Sequence, residues 1–452
     1  MSGILIHSGT LIRMDAAFTI ERGDLLIEDG TIAAVGAAVP GAIAARPAGP
    51  PPERIDASGC LVAPGLVHGH LHLCQTLFRG LAEQADLLRW LRESIWPLEA
   101  AHTEASTAAS VRLALVELIA GGVTCVNDMG TVRHTAAIGE TLSESGMRAI
   151  FGKALMDQGA GVPPSLLESP RAALDESLAL ARRYHGAAGG RLGVSLAPRF
   201  ILSCSESLWH DVRDASSEHD LIVHTHLSES PGEGREVEAA VHRTAARHFA
   251  AHDVLSPRFV GAHGVWLDGE ELALLKRAGA ALVHCPGSNL KLGSGFARMH
   301  EWRRAGLRCG LGSDGAACNN RLDTFHEMSL AAGLSRVLDP EAALPAREVF
   351  ALATRGGAEA LGLGEVTGSL EPGKQADVIL IDWTAPHLAP HEGDPFATLV
   401  HAARPTDVRL TMVAGRVLYR DGAWSTLDAA RAVAEARAEA RGLIRRAGSG
   451  PR

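Results

Sequence analysis

The chain of 452 residues lacks the marks of several specialised classes. No stretch approaches 18 uninterrupted apolar residues, so no helical membrane span is expected. The N-terminal stretch MSGILIHSGTLIRMD has no charged segment ahead of an apolar run, which argues against a secretory signal. Long basic runs are missing and the formal net charge is −9, so neither nucleic acid nor an anionic membrane is expected as main partner. The seven cysteines include no Cys-x-x-Cys pair and their number is odd. Reduced, buried thiols in a cytoplasmic protein are the expectation. The same absence excludes zinc ribbons and the Cys-ligated zinc deaminases.

What is present is an ordinary globular composition, 46% hydrophobic and 21% charged, with 49 Gly and 22 Pro for turns. Length alone suggests about three domain units, but one barrel of eight strand–helix repeats can occupy most of such a chain. The middle of the chain has that rhythm. Strands are expected at Leu61–His72, Val123–Met129, Arg148–Asp157, Arg191–Phe200, Leu221–Glu229, Arg258–Trp266, Ala281–Asn289 and Leu307–Asp314. Helices are expected between them, as at Glu104–Ala120, Arg171–Tyr184, Glu233–Ala251 and Glu270–Ala278. The alternation predicts a (β/α)8 TIM-type barrel over residues 61–370. Short strands at both chain ends, over residues 1–60 and 371–425, predict one small β-sandwich. Asp29-Gly30 marks a hairpin, Val39 to Pro52 reads as a loop, and residues 426–452 form a closing helix and tail.

Function in such barrels sits at the C-terminal ends of the strands. In Pro64-Gly65-Leu66-Val67-His68-Gly69-His70-Leu71-His72 the histidines fall at every second position, on one side of a strand. With 21 His in the chain, about one His-x-His arises by chance, so partners are needed elsewhere. The fifth strand ends in His224-Thr225-His226-Leu227-Ser228-Glu229, the sixth at His263 and the eighth at Asp314. Three imidazoles and one carboxylate suit one divalent ion, Zn²⁺ or alternatively Fe²⁺, with a position open for water. Such an ion lowers the pKa of its water to about 7. Glu229 stands where it can carry protons beside the metal. His68 and His224, two residues deeper, read as supporting histidines.

Pro64–His72, His226-x-x-Glu229, His263, Asp314 and the return Gly368-Ser369-Leu370-Glu371-Pro372-Gly373-Lys374-Gln375-Ala376-Asp377 resemble the amidohydrolase superfamily, in its deaminase branch. The resemblance covers nearly the whole chain. It implies one metal held by His70, His72, His226 and Asp314, Glu229 as proton shuttle, and His263 as the group polarising water or substrate. Binuclear relatives carry a carboxylated Lys at the end of strand four; Pro198-Arg199 stands there here, which implies a mononuclear site. Homo-oligomers are usual among the proteins it resembles.

The substrate readers point two ways. Leu77–Gly80, the stretch through Trp90-Leu91 and Ile95–Glu99, and Pro286–Leu292 resemble deaminases of S-adenosylhomocysteine, 5′-methylthioadenosine and 5′-deoxyadenosine. Those enzymes carry a Glu where Leu88 and Arg89 stand. Lys153 occupies the place of an Arg that a relative uses for a substrate carboxylate. Gln75 and Arg199 instead are similar to the Gln and Arg that clamp the ring in guanine deaminases, and an amide with a guanidinium suits a ring presenting both carbonyl and N–H edges. The expected substrate is a small heteroaromatic amine of adenosine type, with an oxo-purine, pterin or hydroxytriazine as the alternative. A cyclic-amide hydrolase or a non-catalytic scaffold stands behind both.

Overall fold

A computed structural model describes residues 3–47, 49–83 and 86–448. Eight parallel strands build the barrel in sequence order: Leu66–Leu71, Val123–Met129, Arg148–Gly152, Leu192–Pro198, Ile222–Leu227, Phe259–His263, Ala281–His284 and Arg308–Leu311. Nearly every residue of these strands is buried, as expected where helices cover the outside and side chains fill the inside. The first and eighth strands meet through the Asp314 amide, which donates to the His70 carbonyl at 3.2 Å. A Cβ on Gly312 would lie 2.5 Å from that carbonyl oxygen, so closure needs glycine there.

The expected first strand, Leu61–His72, is two strands. Cys60–Pro64 belongs to the terminal sheet and Leu66–Leu71 to the barrel, with the chain passing from one to the other at Gly65. A Cβ at Gly65 would fall 2.0 Å from the Thr124 hydroxyl, which explains the glycine at the crossing. The seventh strand also stops earlier than expected, because Pro286 opens the helix Pro286–Lys291. The helix expected over 233–251 is divided at His242, whose φ is 55°. Within the expected loop, Val39–Ala44 is a short helix.

The terminal sheet has nine strands from both chain ends. Cys60–Pro64 is its seam: it pairs in parallel with Gly3–Ile12 and antiparallel with Val378–Asp382. Ile6, Leu25, Ile27, Val62, Val378, Leu410 and Met412 form a core of their own there. The closing helix, Ala429–Arg446, packs on Glu104–Ala120, with Arg112 paired to Glu435 at 2.9 Å. Its Ala436 and Leu443 join Phe78, Trp90 and Trp96 in an apolar cluster beside the barrel mouth. All seven cysteines are buried and unpaired. Among the described residues no helix is long and apolar enough to cross a membrane.

Arg148, on the third barrel strand, joins the two parts. Its guanidinium donates to both Asp377 carboxylate oxygens, at 2.7 and 3.0 Å, and both side chains are buried. The Ala414 amide also donates to Asp377, at 2.8 Å. Asp377→Ala leaves the Arg148 charge buried and uncompensated, so it should cost about 3–5 kcal/mol in urea unfolding. A loss below about 1 kcal/mol, the range of an exposed pair, would contradict this role.

Candidate metal centre and reaction cavity

The barrel brings His70, His72, His226 and Asp314 together. The four donor atoms lie within 4.8 Å of one another. His70 Nε2 and His72 Nε2 each lie 3.3 Å from Asp314 Oδ1, and His72 Nε2 lies 3.3 Å from His226 Nε2. A tetrahedral ion with bonds of about 2.0–2.1 Å separates its donors by roughly 3.3–3.4 Å, so the spacing fits Zn²⁺.

The outer ring nitrogens decide the tautomers. His72 Nδ1 donates to the Met129 carbonyl at 2.8 Å and His226 Nδ1 to the Arg199 carbonyl at 2.8 Å. His70 Nδ1 lies 2.8 Å from His224 Nε2. With the proton on Nδ1, each Nε2 turns a lone pair to the centre, the usual orientation of a ligand imidazole. Burial, then the His70 ring, holds His226 well below the ordinary histidine range, and burial lowers His70. His70 Nε2 has no hydrogen-bond partner among the described residues, the state of an atom waiting for a cation. Asp314 is oriented by the Ser288 hydroxyl on Oδ2 at 2.6 Å and the Gly315 amide on Oδ1 at 2.8 Å. His224 therefore supports His70 directly, whereas His68 is buried with neither ring nitrogen bonded among the described residues.

His263 carries the opposite tautomer. Asn289 donates its amide N–H to His263 Nδ1 at 3.0 Å, so the ring proton sits on Nε2, 3.5 Å from Glu229 Oε2 and 3.9 Å from Asp314 Oδ2. Burial pushes His263 down to about 3, leaving the ring neutral. Glu229 is buried, and its Oε1 accepts from Ser294 at 3.2 Å. Burial first, then Asp314 and Glu233, raises its carboxyl well above the usual range, which favours the protonated form. Glu233 Oε2 accepts the Glu229 amide at 2.7 Å and fixes that carboxyl's backbone. Ser228, His263 and Asp314 all have positive φ, at 48°, 76° and 61°. Backbone strain thus gathers where the side chains must turn inward.

A cavity opens on His72, His226, Glu229 and Asp314, with Leu87, Trp90, Leu91, Phe200 and Leu292 on its apolar wall. Gln75 and Arg199 line it, but both are engaged. Arg199 holds Glu99 with two bonds, at 2.6 and 3.1 Å, and Gln75 Nε2 donates to the same carboxylate at 3.0 Å. Glu99, 3% exposed, was not among the expected site residues. Its signal in the sequence is only a lone acid after Trp96-Pro97-Leu98, and its partner lies a hundred positions away. Lys153 requires a correction. It does not line the cavity; its ammonium pairs with Glu168 at 2.8 Å and Glu176 at 2.9 Å and donates to the Val132 carbonyl. Two acids outside the barrel compensate its buried charge, so no substrate carboxylate is needed there.

The amidohydrolase family profile matches residues 61–418. The chain belongs to the amidohydrolase family. It is 37% identical over 410 residues to the 5′-deoxyadenosine deaminase of Methanothermobacter thermautotrophicus, spanning 90% of this chain and 92% of that protein. It is 37% identical over 449 residues to a 5-methylthioadenosine/S-adenosylhomocysteine deaminase of Halobacterium salinarum, spanning 98% of each. Among solved structures, a zinc-bound adenosine deaminase from Xanthomonas campestris superposes with a TM-score of 0.91 at 28% identity, covering 98% of this chain and 99% of that one. For this amidohydrolase the donor geometry makes a direct demand. His226→Ala removes one of the four donors, so elemental analysis should find the metal of the dialysed variant reduced to background. Full metal retention would contradict the arrangement.

Proposed function

We propose that this amidohydrolase is a deaminase releasing ammonia from an adenosine-type nucleoside, with one divalent ion, Zn²⁺, at His70, His72, His226 and Asp314. The observation that carries the reading is the likeness over nearly full length to deaminases of 5′-deoxyadenosine and of 5-methylthioadenosine/S-adenosylhomocysteine. When bound, the ion supplies Lewis-acid activation of the attacking water.

The chain's own residues carry the protons. Trp90, Phe200 and Leu292 take the flat faces of a purine and exclude water from it. Glu229, whose buried carboxyl favours its protonated form, gives its proton to the ring nitrogen beside the amino-bearing carbon. Asp314 takes a proton from the water that attacks that carbon and passes it to the amino group. The His263 Nε2–H donates to the oxygen added at the same carbon, a bond that strengthens as charge builds there. The C–N bond then breaks and ammonia leaves, the remaining hydroxyl proton passes to the Glu229 carboxylate and restores it, and the ring keeps a carbonyl in place of the amine.

The arrangement of Gln75, Arg199 and Glu99 favours adenosine-type over lactam rings. A guanidinium bound twice by a buried carboxylate presents no bare charge to a substrate carbonyl. Gln75 has spent a donor on Glu99, while its Oε1 is buried with no partner among the described residues. What this side of the cavity offers is an acceptor, which can take an N–H of an exocyclic amino group such as that of adenine.

An ammonia-release screen tests this. We expect the highest kcat/KM with 5′-deoxyadenosine, 5′-methylthioadenosine or S-adenosylhomocysteine, and loss of roughly 10²–10⁴-fold in Glu229→Gln with metal content unchanged. Preference for guanine, 8-oxoguanine, a pterin or an aminotriazine would overturn the substrate assignment, and near-normal turnover in Glu229→Gln would overturn its role.

A further inference from the structure

The outer layer of the barrel carries a second group of metal-type donors, apart from the reaction cavity. Helix Glu206–His219 follows the fourth barrel strand, and helix Ala245–Ala251 precedes the sixth. Glu206 and His210 are four residues apart on the first helix, and His248 and His252 are four apart at the end of the second. That spacing puts each pair on one helical face, the arrangement by which helices chelate metal ions. The two faces meet. His210 Nε2 lies 3.0 Å from His252 Nδ1, and Glu206 Oε1 lies 3.6 Å from the same nitrogen. The donor atoms of Glu206, His210 and His252 all fall within 4.8 Å of one another.

Supporting contacts hold the frame. Arg213 donates to the His252 carbonyl at 3.2 Å, fixing the backbone that presents the ring. The His248 and His252 rings lie 4.4 Å apart between centroids, so His248 backs the His252 ring. The Ser205 hydroxyl caps the helix that carries Glu206 and His210. None of Glu206, His210, His248 and His252 lines the reaction cavity.

We propose that Glu206, His210 and His252 form a second, exchangeable site for a divalent transition-metal ion on the outside of the barrel. A hydrogen bond from His252 to His210 would leave the Glu206 carboxylate at 3.6 Å as a weak second acceptor of the same proton. A single proton on His252 Nδ1 would have to be shared between the His210 ring and the Glu206 carboxylate, whereas one cation serves all three donors. Separations of 3.0 and 3.6 Å bracket the roughly 3.3–3.4 Å expected between donors around a tetrahedral ion. Two imidazoles with one carboxylate select Zn²⁺, Ni²⁺ or Cu²⁺ over Mg²⁺ or Ca²⁺. The Glu206 side chain is 62% exposed and that of His252 20%, so water completes the coordination and the ion exchanges with solvent. Binding clips together the helices on either side of the fifth strand, the strand that delivers His226, and stabilises the folded chain by linkage.

The test uses the enzyme with its reaction-site metal in place, dialysed free of loosely held ions and titrated with Zn²⁺ by calorimetry and thermal unfolding. We expect one further equivalent to bind and the unfolding temperature to rise, with no such rise for Mg²⁺. His210→Ala and His252→Ala should keep the first equivalent and wild-type ammonia release but lose the further equivalent and the thermal shift. Glu206→Gln, at an exposed position that folding does not need, should weaken the further binding by roughly tenfold or more. The proposal is overturned if the wild-type chain takes up no further ion, or if Glu206→Gln and His210→Ala bind it as the wild type does.

Discussion

Three imidazole nitrogens and one carboxylate oxygen face one another at the mouth of the barrel, with the imidazole protons turned outward. Everything at the barrel mouth follows from that constraint. Such a cluster is unfavourable by itself, because lone pairs repel and each buried donor atom forgoes its hydrogen bond to water. A cation removes both costs at once. The chain fixes the arrangement through the Met129 and Arg199 carbonyls and the His224 ring, each of which takes the outer Nδ1 proton of one ligand. His263, held by Asn289 in the other tautomer, is then free to point a proton inward. Two opposite ring orientations, set by the partners of Nδ1, separate the rings that turn a lone pair inward from the one that turns a proton inward.

The scaffold serves this constraint from both chain ends. Cys60–Pro64 runs through the terminal sheet and Gly65 passes directly into the strand that carries His70. Arg148 and Asp377 tie the third barrel strand to the returning C-terminal segment. The closing helix packs beside Trp90 and Trp96, near the cavity wall. Long-range pairings therefore anchor the site, while its chemistry sits on strand ends, as the barrel architecture dictates.

Much of this was legible in the residues themselves. The alternation of His68, His70 and His72 is a direct consequence of strand periodicity, and eight strand–helix repeats predicted where His226, His263 and Asp314 would meet. What escaped was set by contacts distant in sequence. The bond between Glu99 and Arg199 spans a hundred residues and has no local pattern, yet it changes Arg199 from a free clamp to a neutralised one. Lys153 stands just past the end of the third strand, and Glu168 and Glu176 draw its ammonium outward. The break at Gly65 was hidden because an apolar run reads alike in one strand or two. The positive φ values of His263 and Asp314 are imposed by closure of the fold, since neither residue type announces them.

Anomalous X-ray diffraction at the zinc edge, on crystals of the purified enzyme, locates the ion directly. The account predicts a single ion inside the barrel mouth, about 2.0–2.2 Å from His70 Nε2, His72 Nε2, His226 Nε2 and an Asp314 carboxylate oxygen. A pair of bridged ions there, or an ion bound without one of these four side chains, would contradict it.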